Sequence, residues 1–99
     1  MAPPSGTYVD IVHGNTVNGP VQAGGSFSWY NSGGNPNCTV TNVGSWCGHS
    51  SYGPIGEGQS APASALSGLG TGSYGFTCPC CLNGSGSVGV HGGHTGPPK

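Results

Sequence analysis

Residues 73–81 read Ser-Tyr-Gly-Phe-Thr-Cys-Pro-Cys-Cys (SYGFTCPCC), and three of the chain's five cysteines fall at its end. Tyr74, Phe76 and Cys78 alternate with Ser73, Gly75 and Thr77, a period of two that predicts a strand with one buried face. Pro79 ends regular pairing because it has no N–H to give to a neighbouring strand. A core strand is therefore expected to run straight into a sulfur-rich turn. Cys78 faces inward at the strand end, and Cys80 and Cys81 lie in the turn.

The same period recurs on both sides of this stretch. In Ser26–Asn31 (SFSWYN), Phe27 and Trp29 share one face, which makes Trp29 the expected centre of the core. In Thr7–His13 (TYVDIVH), Val9 and Ile11 face in and Asp10 faces out. A short strand is expected at Thr16–Val17, before the Asn18-Gly19-Pro20 turn. Cys38–Val43 (CTVTNV) carries Cys38 and Val40 on one face. Ser87–His91 closes the domain with Val88 and Val90 inward. Gln59–Leu69 is read as an edge strand, since Pro62 argues against a central one. Gly44–Gly58 has no period and reads as an irregular loop pinned by Cys47. No stretch shows a helical period. Short strands at spacings near ten residues, separated by turn signals, predict an all-β fold, a small antiparallel Greek-key β-sandwich with little or no helix. The domain is expected over residues 7–91, between a leader at 1–6 and a polar tail at 92–99.

Composition narrows function. The chain has 99 residues, and Asp10, Glu57 and Lys99 are its only charges, 3% of the total. An ordinary domain carries roughly a quarter. With one Lys and no Arg, phosphate neutralisation is not available, so nucleic acid is not an expected partner. No apolar run approaches the ~20 residues of a membrane-spanning helix. Met1–Thr7 has neither a charged nor an apolar segment and does not read as a signal peptide. Net charge near zero favours association, which points to self-association with other copies. Exposed Tyr30, Trp46 and Tyr52, with Ser, Asn and Gly around them, are the expected contact surface. Such a surface also suits carbohydrate stacking, a weaker expectation.

Five cysteines in so short a chain favour an oxidising, extracellular setting. A small Gly-rich domain gains about 2–4 kcal/mol from each disulfide. Cys38, Cys47, Cys78, Cys80 and Cys81 are therefore disulfide candidates, with one left over for a free thiol or an interchain bond. A mutual Cys80–Cys81 pair is disfavoured by geometry. His13, His49, His91 and His94 are scattered. His91 and His94 could hold a metal, joined by His13 if the first and last strands pair. Asn37-Cys38-Thr39 and Asn83-Gly84-Ser85 match the glycosylation acceptor pattern. Two distant carboxylates give acid–base or nucleophilic catalysis little to work with, and no enzyme activity is expected.

Two blocks carry a family resemblance. Ser28–Asn42 (SWYNSGGNPNCTVTN) resembles the part of the small blue-copper proteins, the cupredoxins, in which a Trp-x-Asn strand leads into a ligand-bearing segment. Gly72–Gly89 (GSYGFTCPCCLNGSGSVG) resembles the family's last hairpin, where an aromatic strand ends in the Cys ligand. The resemblance implies a cupredoxin-like or immunoglobulin-like sandwich. It places Cys38 at a His-ligand position, Cys78 at the Cys ligand and Cys81 where the second His often sits. No Met follows; Leu82 and Asn83 come next. Blue copper takes two imidazoles and one thiolate, so ordinary electron transfer is not expected. The alignment implies instead that Cys38, Cys78 and Cys81 converge at one end of the fold. There they either hold copper as Cu(I) or zinc as Zn(II), or form a disulfide from Cys38 to Cys78 or Cys81. Cys47 is then expected to pin its loop to another cysteine of the cluster. The favoured function is a structural, self-associating subunit of a surface layer or filament, with no cofactor; the alternative is a cysteine-cluster metal-binding module.

Overall fold

Alternation at Phe27 and Trp29 produces the strand on which the others assemble. In the computed structural model, which describes residues 4–33, 37–81 and 84–92, nine strands follow in order. They are β1 (Tyr8–Asp10), β2 (Asn15–Val17), β3 (Val21–Gln22), β4 (Ser26–Tyr30), β5 (Cys38–Val40), β6 (Tyr52–Ile55), β7 (Ser60–Ser64), β8 (Gly72–Thr77) and β9 (Ser85–His91). The described residues contain no helix, so none is long and apolar enough to cross a membrane. Residues 1–3 of the expected leader, 93–99 of the expected tail, and Leu82, Asn83 and His94 lie outside the described residues.

The strands form a four-stranded sheet in the order β2-β1-β4-β7, a three-stranded sheet β3-β9-β8 and a pair β5-β6. An antiparallel fold was the expectation, and two pairs correct it: β1 runs parallel to β4, and β3 parallel to β9. The cause is a change of sheet within a few residues. Gly14 takes a φ of 78°, and its N–H bonds to Asp10 O at 2.7 Å, turning β1 back into β2. Asn18 and Gly19, with φ of 66° and 94°, then hand the chain to β9's sheet as β3. When the chain returns as β4, it lies beside β1 in the same direction. Parallel pairing arises here from strands that switch sheets, without helical crossovers. Pro62 sits in β7, the outer strand of its sheet, as its missing N–H requires.

The segment expected to be irregular, Gly44–Gly58, contains β6. It pairs antiparallel with β5, Cys38 opposite Ile55 and Val40 opposite Tyr52. β5 is shorter than expected because Asn42 adopts a left-handed φ of 61°. Before that kink, Thr41 bridges to Thr77 through two backbone bonds of 2.8 and 3.0 Å, which attach β5 to β8.

One core serves all three sheets. Trp29 is fully buried, with ring centroids of Phe27, Phe76, Trp46 and Tyr52 between 5.1 and 5.8 Å away. Val9, Ile11, Val40, Ile55, Val88 and Val90 fill the remaining space. The expected contact surface is corrected by this packing: Tyr30, Trp46 and Tyr52 are buried, Trp46 to 1% exposure. With so few large apolar residues, the aromatics supply the core volume, and each finds a partner for its polar edge or a ring to pack on. Trp46 donates its indole N–H to Gly75 O at 2.9 Å, and Tyr30 packs edge-on against Tyr8 at 5.4 Å. Asn31, also buried, donates its side-chain N–H to Ile55 O at 3.0 Å, tying the end of β4 to β6.

β9 starts at Ser85, two residues earlier than expected, because Gly86 passes close to the β1–β2 turn. A Cβ there would lie 2.7 Å from Phe76 Cζ and 2.8 Å from Gly14 Cα. Gly86→Ala is expected to cost about 1–3 kcal/mol in urea unfolding. Gly89→Ala, on the same strand with open space around it, is expected to stay within about 0.5 kcal/mol.

Candidate functional site: the sulfur cluster

Past β8 the backbone closes a tight loop on itself. Cys78 N–H bonds to Gly84 O at 3.0 Å, Cys81 N–H to Cys78 O at 3.1 Å and Gly84 N–H to Cys81 O at 2.9 Å. Gly84 takes a φ of 78°, as the reversal needs. Pro79 sits where no donor is required. This loop presents Cys78 and Cys80 on one side, facing the first residue of β5.

Cys38 and Cys80 are joined by a disulfide, with Cα atoms 5.7 Å apart and a sequence separation of 42. The expected partner of Cys38 was Cys78 or Cys81, and the structure corrects this. Cys78 continues the inward face of β8 and is fully buried. Cys80, two residues on, returns to the same side and reaches across to β5. Cys81 turns away: its thiol donates to Ser85 O at 2.9 Å and packs on the bare Cα of Gly14, where a Cβ would come within 3.2 Å of the sulfur.

The Cys78 thiol is free and stands beside the bridge. The sulfurs of Cys38, Cys78 and Cys80 all lie within 4.8 Å of one another. Burial raises the Cys78 pKa, and the nearby backbone N–H groups of Cys80 and Cys81 offset part of that rise. The convergent set is thus Cys38, Cys78 and Cys80, with Cys81 in the wall behind it. Sequence reading found two of the three. The resemblance assigns the third place to Cys81, whereas Cys80, one of the disulfide candidates, holds it.

Cys47 stands apart from the cluster and is not disulfide-bonded. Its loop is held by backbone bonds instead: Cys47 N–H to Val43 O at 2.8 Å, Leu66 N–H to Trp46 O at 2.9 Å and Gly48 N–H to Ser64 O at 3.1 Å. Burial pushes its thiol up to about 12 despite a hydrogen bond with Tyr52. The thiolate is the reactive form. Cys47 is therefore expected to resist an aromatic disulfide reagent at pH 8 in the folded protein and to react fully in denaturant. Peptide mapping of the labelled thiol checks this, and rapid native labelling of Cys47 would contradict it.

Among the described residues, His13, His49 and His91 do not gather into a metal-ligating group. β9 pairs with β3 and β8, while β1 pairs with β2 and β4, so the first and last strands are not neighbours. His13 joins a different group that the sequence reading missed. Its Nδ1 lies 2.9 Å from Asp10 Oδ2, and Ser32 Oγ donates to Asp10 Oδ1 at 2.7 Å. Burial pushes the Asp10 pKa up, but hydrogen bonds from Ser32, His13 and the backbone N–H groups of His13 and Val12 outweigh it, leaving the carboxyl below its usual range. The i, i+3 spacing of Asp10 and His13 was the available signal; Ser32 lies two residues past the end of β4 and had none. These contacts pin the β1–β2 turn to β4.

An open groove of about 480 Å³ crosses the outer face of β8, lined by Asn42, Ser45, Ser73, Gly75 and Ser85 among others. It is neutral, and the one indole beside it, Trp46, is packed against Phe27 with no exposed face. Comparison with protein-family models, with curated proteins and with solved structures finds no match to this chain.

Proposed function

We propose that this chain is a structural, self-associating subunit, a disulfide-stapled β-sandwich suited to an extracellular layer or filament. The proposed sandwich has β2-β1-β4-β7 as one layer. The other is β3-β9-β8, extended through the Thr41–Thr77 bridge into β5-β6. A single core drawn from all three sheets supports that layering, and the nearness of Cys38 to Cys78 supports a cupredoxin-like arrangement. The setting rests on the Cys38–Cys80 bridge, since disulfides persist in oxidising compartments.

The observation that carries the reading is the near-absence of charge: three formal charges in 99 residues. Copies of such a chain meet with almost no Coulomb repulsion. Leu66, just after the outer strand β7, is the one exposed large apolar side chain among the described residues. The association is non-covalent, because the three free thiols are buried. Sedimentation or light scattering over a range of concentrations tests this. The expected result is reversible growth in mass that is unchanged between about 0.05 and 1 M salt, because there is little charge to screen. A monomer at every concentration would contradict it.

A further inference from the structure

We propose that reduction of the Cys38–Cys80 bridge converts the sulfur cluster into a three-thiolate site for a soft, low-coordinate cation, Cu(I). This goes beyond the structural role and does not depend on it.

The geometry is that of a site already gathered. The three sulfurs come from two places in the fold, the start of β5 and the loop after β8, and all are buried. Because the three sulfurs lie no more than 4.8 Å apart, a point exists within about 2.8 Å of all of them, against ~2.3 Å for a metal–thiolate bond. Once the bridge is reduced, the Cys38 and Cys80 sulfurs rotate apart to stand around that point. The bridged cysteines have Cα atoms 5.7 Å apart, a span their side chains can cover with the sulfurs either bonded or separated around an ion.

Ligand number and softness select the ion. Thiolates favour Cu(I) and zinc among first-row metals, but structural zinc takes four ligands. The fourth sulfur nearby, that of Cys81, is turned to Ser85 O and stands outside the group. Three sulfurs in a buried pocket suit trigonal Cu(I).

The chemistry balances in two steps. A dithiol gives two electrons and two protons to the Cys38–Cys80 bond and becomes a disulfide itself, leaving two protein thiols. Cu(I) then displaces the thiol protons of Cys38, Cys78 and Cys80 to solvent as the three metal–sulfur bonds form, with no change in oxidation state. Of these three cysteines only Cys78 retains a thiol in the oxidised chain, so the site exists in one redox state alone.

The test is anaerobic titration of the full chain with Cu(I) against a chromophoric Cu(I) chelator, before and after phosphine reduction. Thiolate-to-copper absorption and near-ultraviolet circular dichroism are followed together. The expected result is one Cu(I) per reduced chain and none on the oxidised chain. Cys78→Ser and, as a second variant, Cys80→Ser are each expected to weaken binding by about 100-fold or more. Cys81→Ser is expected to change it by less than about 3-fold. Reduced chain that stays folded without taking up Cu(I) overturns the proposal. So does reduced chain that loses its fold, or a Cys81→Ser loss as large as that of Cys78→Ser.

Discussion

Replacing Cys38 and Cys80 together by Ala is expected to lower the unfolding free energy by about 4 kcal/mol, the chain-entropy value for a loop closed over 42 residues. Small domains have only about 5–15 kcal/mol in total, so the double variant should sit near the edge of folding at room temperature. The loss has a structural locus. β5 and β6 form a two-stranded unit that meets the rest through the Thr41–Thr77 bridge, the shared core and this disulfide. Two-stranded ribbons are marginal alone. Urea unfolding followed by tryptophan fluorescence measures the change, and a loss under about 1 kcal/mol would remove the staple from its place in the account. The single variant Cys80→Ala is a different experiment. It leaves Cys38 within reach of Cys78, and in air those two can form a substitute bridge. Its stability is therefore expected to depend on reductant, whereas that of the double variant does not.

Trp29→Ala should be the most damaging single substitution in the chain. The side chain is fully buried, pairs through β4 with both β1 and β7, and is ringed by four aromatics, three of them from other parts of the fold. Truncating a buried Trp typically costs about 3–5 kcal/mol, transfer and cavity terms together. Here the cavity would open where all three sheets meet. Trp29→Phe separates volume from polarity. The Trp29 indole N–H has no hydrogen-bond partner, and an unsatisfied buried donor is itself a cost of about 1–3 kcal/mol. Removing it offsets part of the lost volume, so Phe is expected to cost less than half as much as Ala. Equal losses from the two would mean that the indole N–H is satisfied in solution.

What could be read from the sequence followed from local periodicity. Phe27 and Trp29, Val9 and Ile11, and Val88 and Val90 alternate with polar residues, and all six are buried. The edge position of β7 followed from Pro62, a single residue with a single missing donor. β6 escaped notice because Gly53-Pro54 sits inside it and interrupts both alternation and donor pattern. Gly53 takes a φ of 130° and passes so close to β5 that a Cβ would lie 2.7 Å from Cys38 O. That is a tertiary reason for a glycine that looked like a loop signal. Parallel pairing had no local signature, because it depends on where the chain changes sheets. Trp46 was misplaced for a similar reason: it lies in a segment without a period, so nothing nearby in sequence told which way it faced.

The sulfur pairing was the least accessible feature. Strand alternation put Cys78 inside, which holds, but the choice between Cys78, Cys80 and Cys81 turns on the loop closed by Gly84, and no rule of spacing describes that closure. Cys47 looked like a pin because its loop seemed to lack any other. The backbone bonds to Val43, Ser64 and Leu66 that hold it are invisible in the residue types.

The most direct measurement is disulfide mapping of unreduced chain, alkylated in denaturant and digested. The expected product is one crosslink, Cys38 to Cys80, with Cys47, Cys78 and Cys81 each carrying the alkyl group. A crosslink that includes Cys47, or one from Cys38 to Cys81, would contradict the account of the cluster and of the staple together.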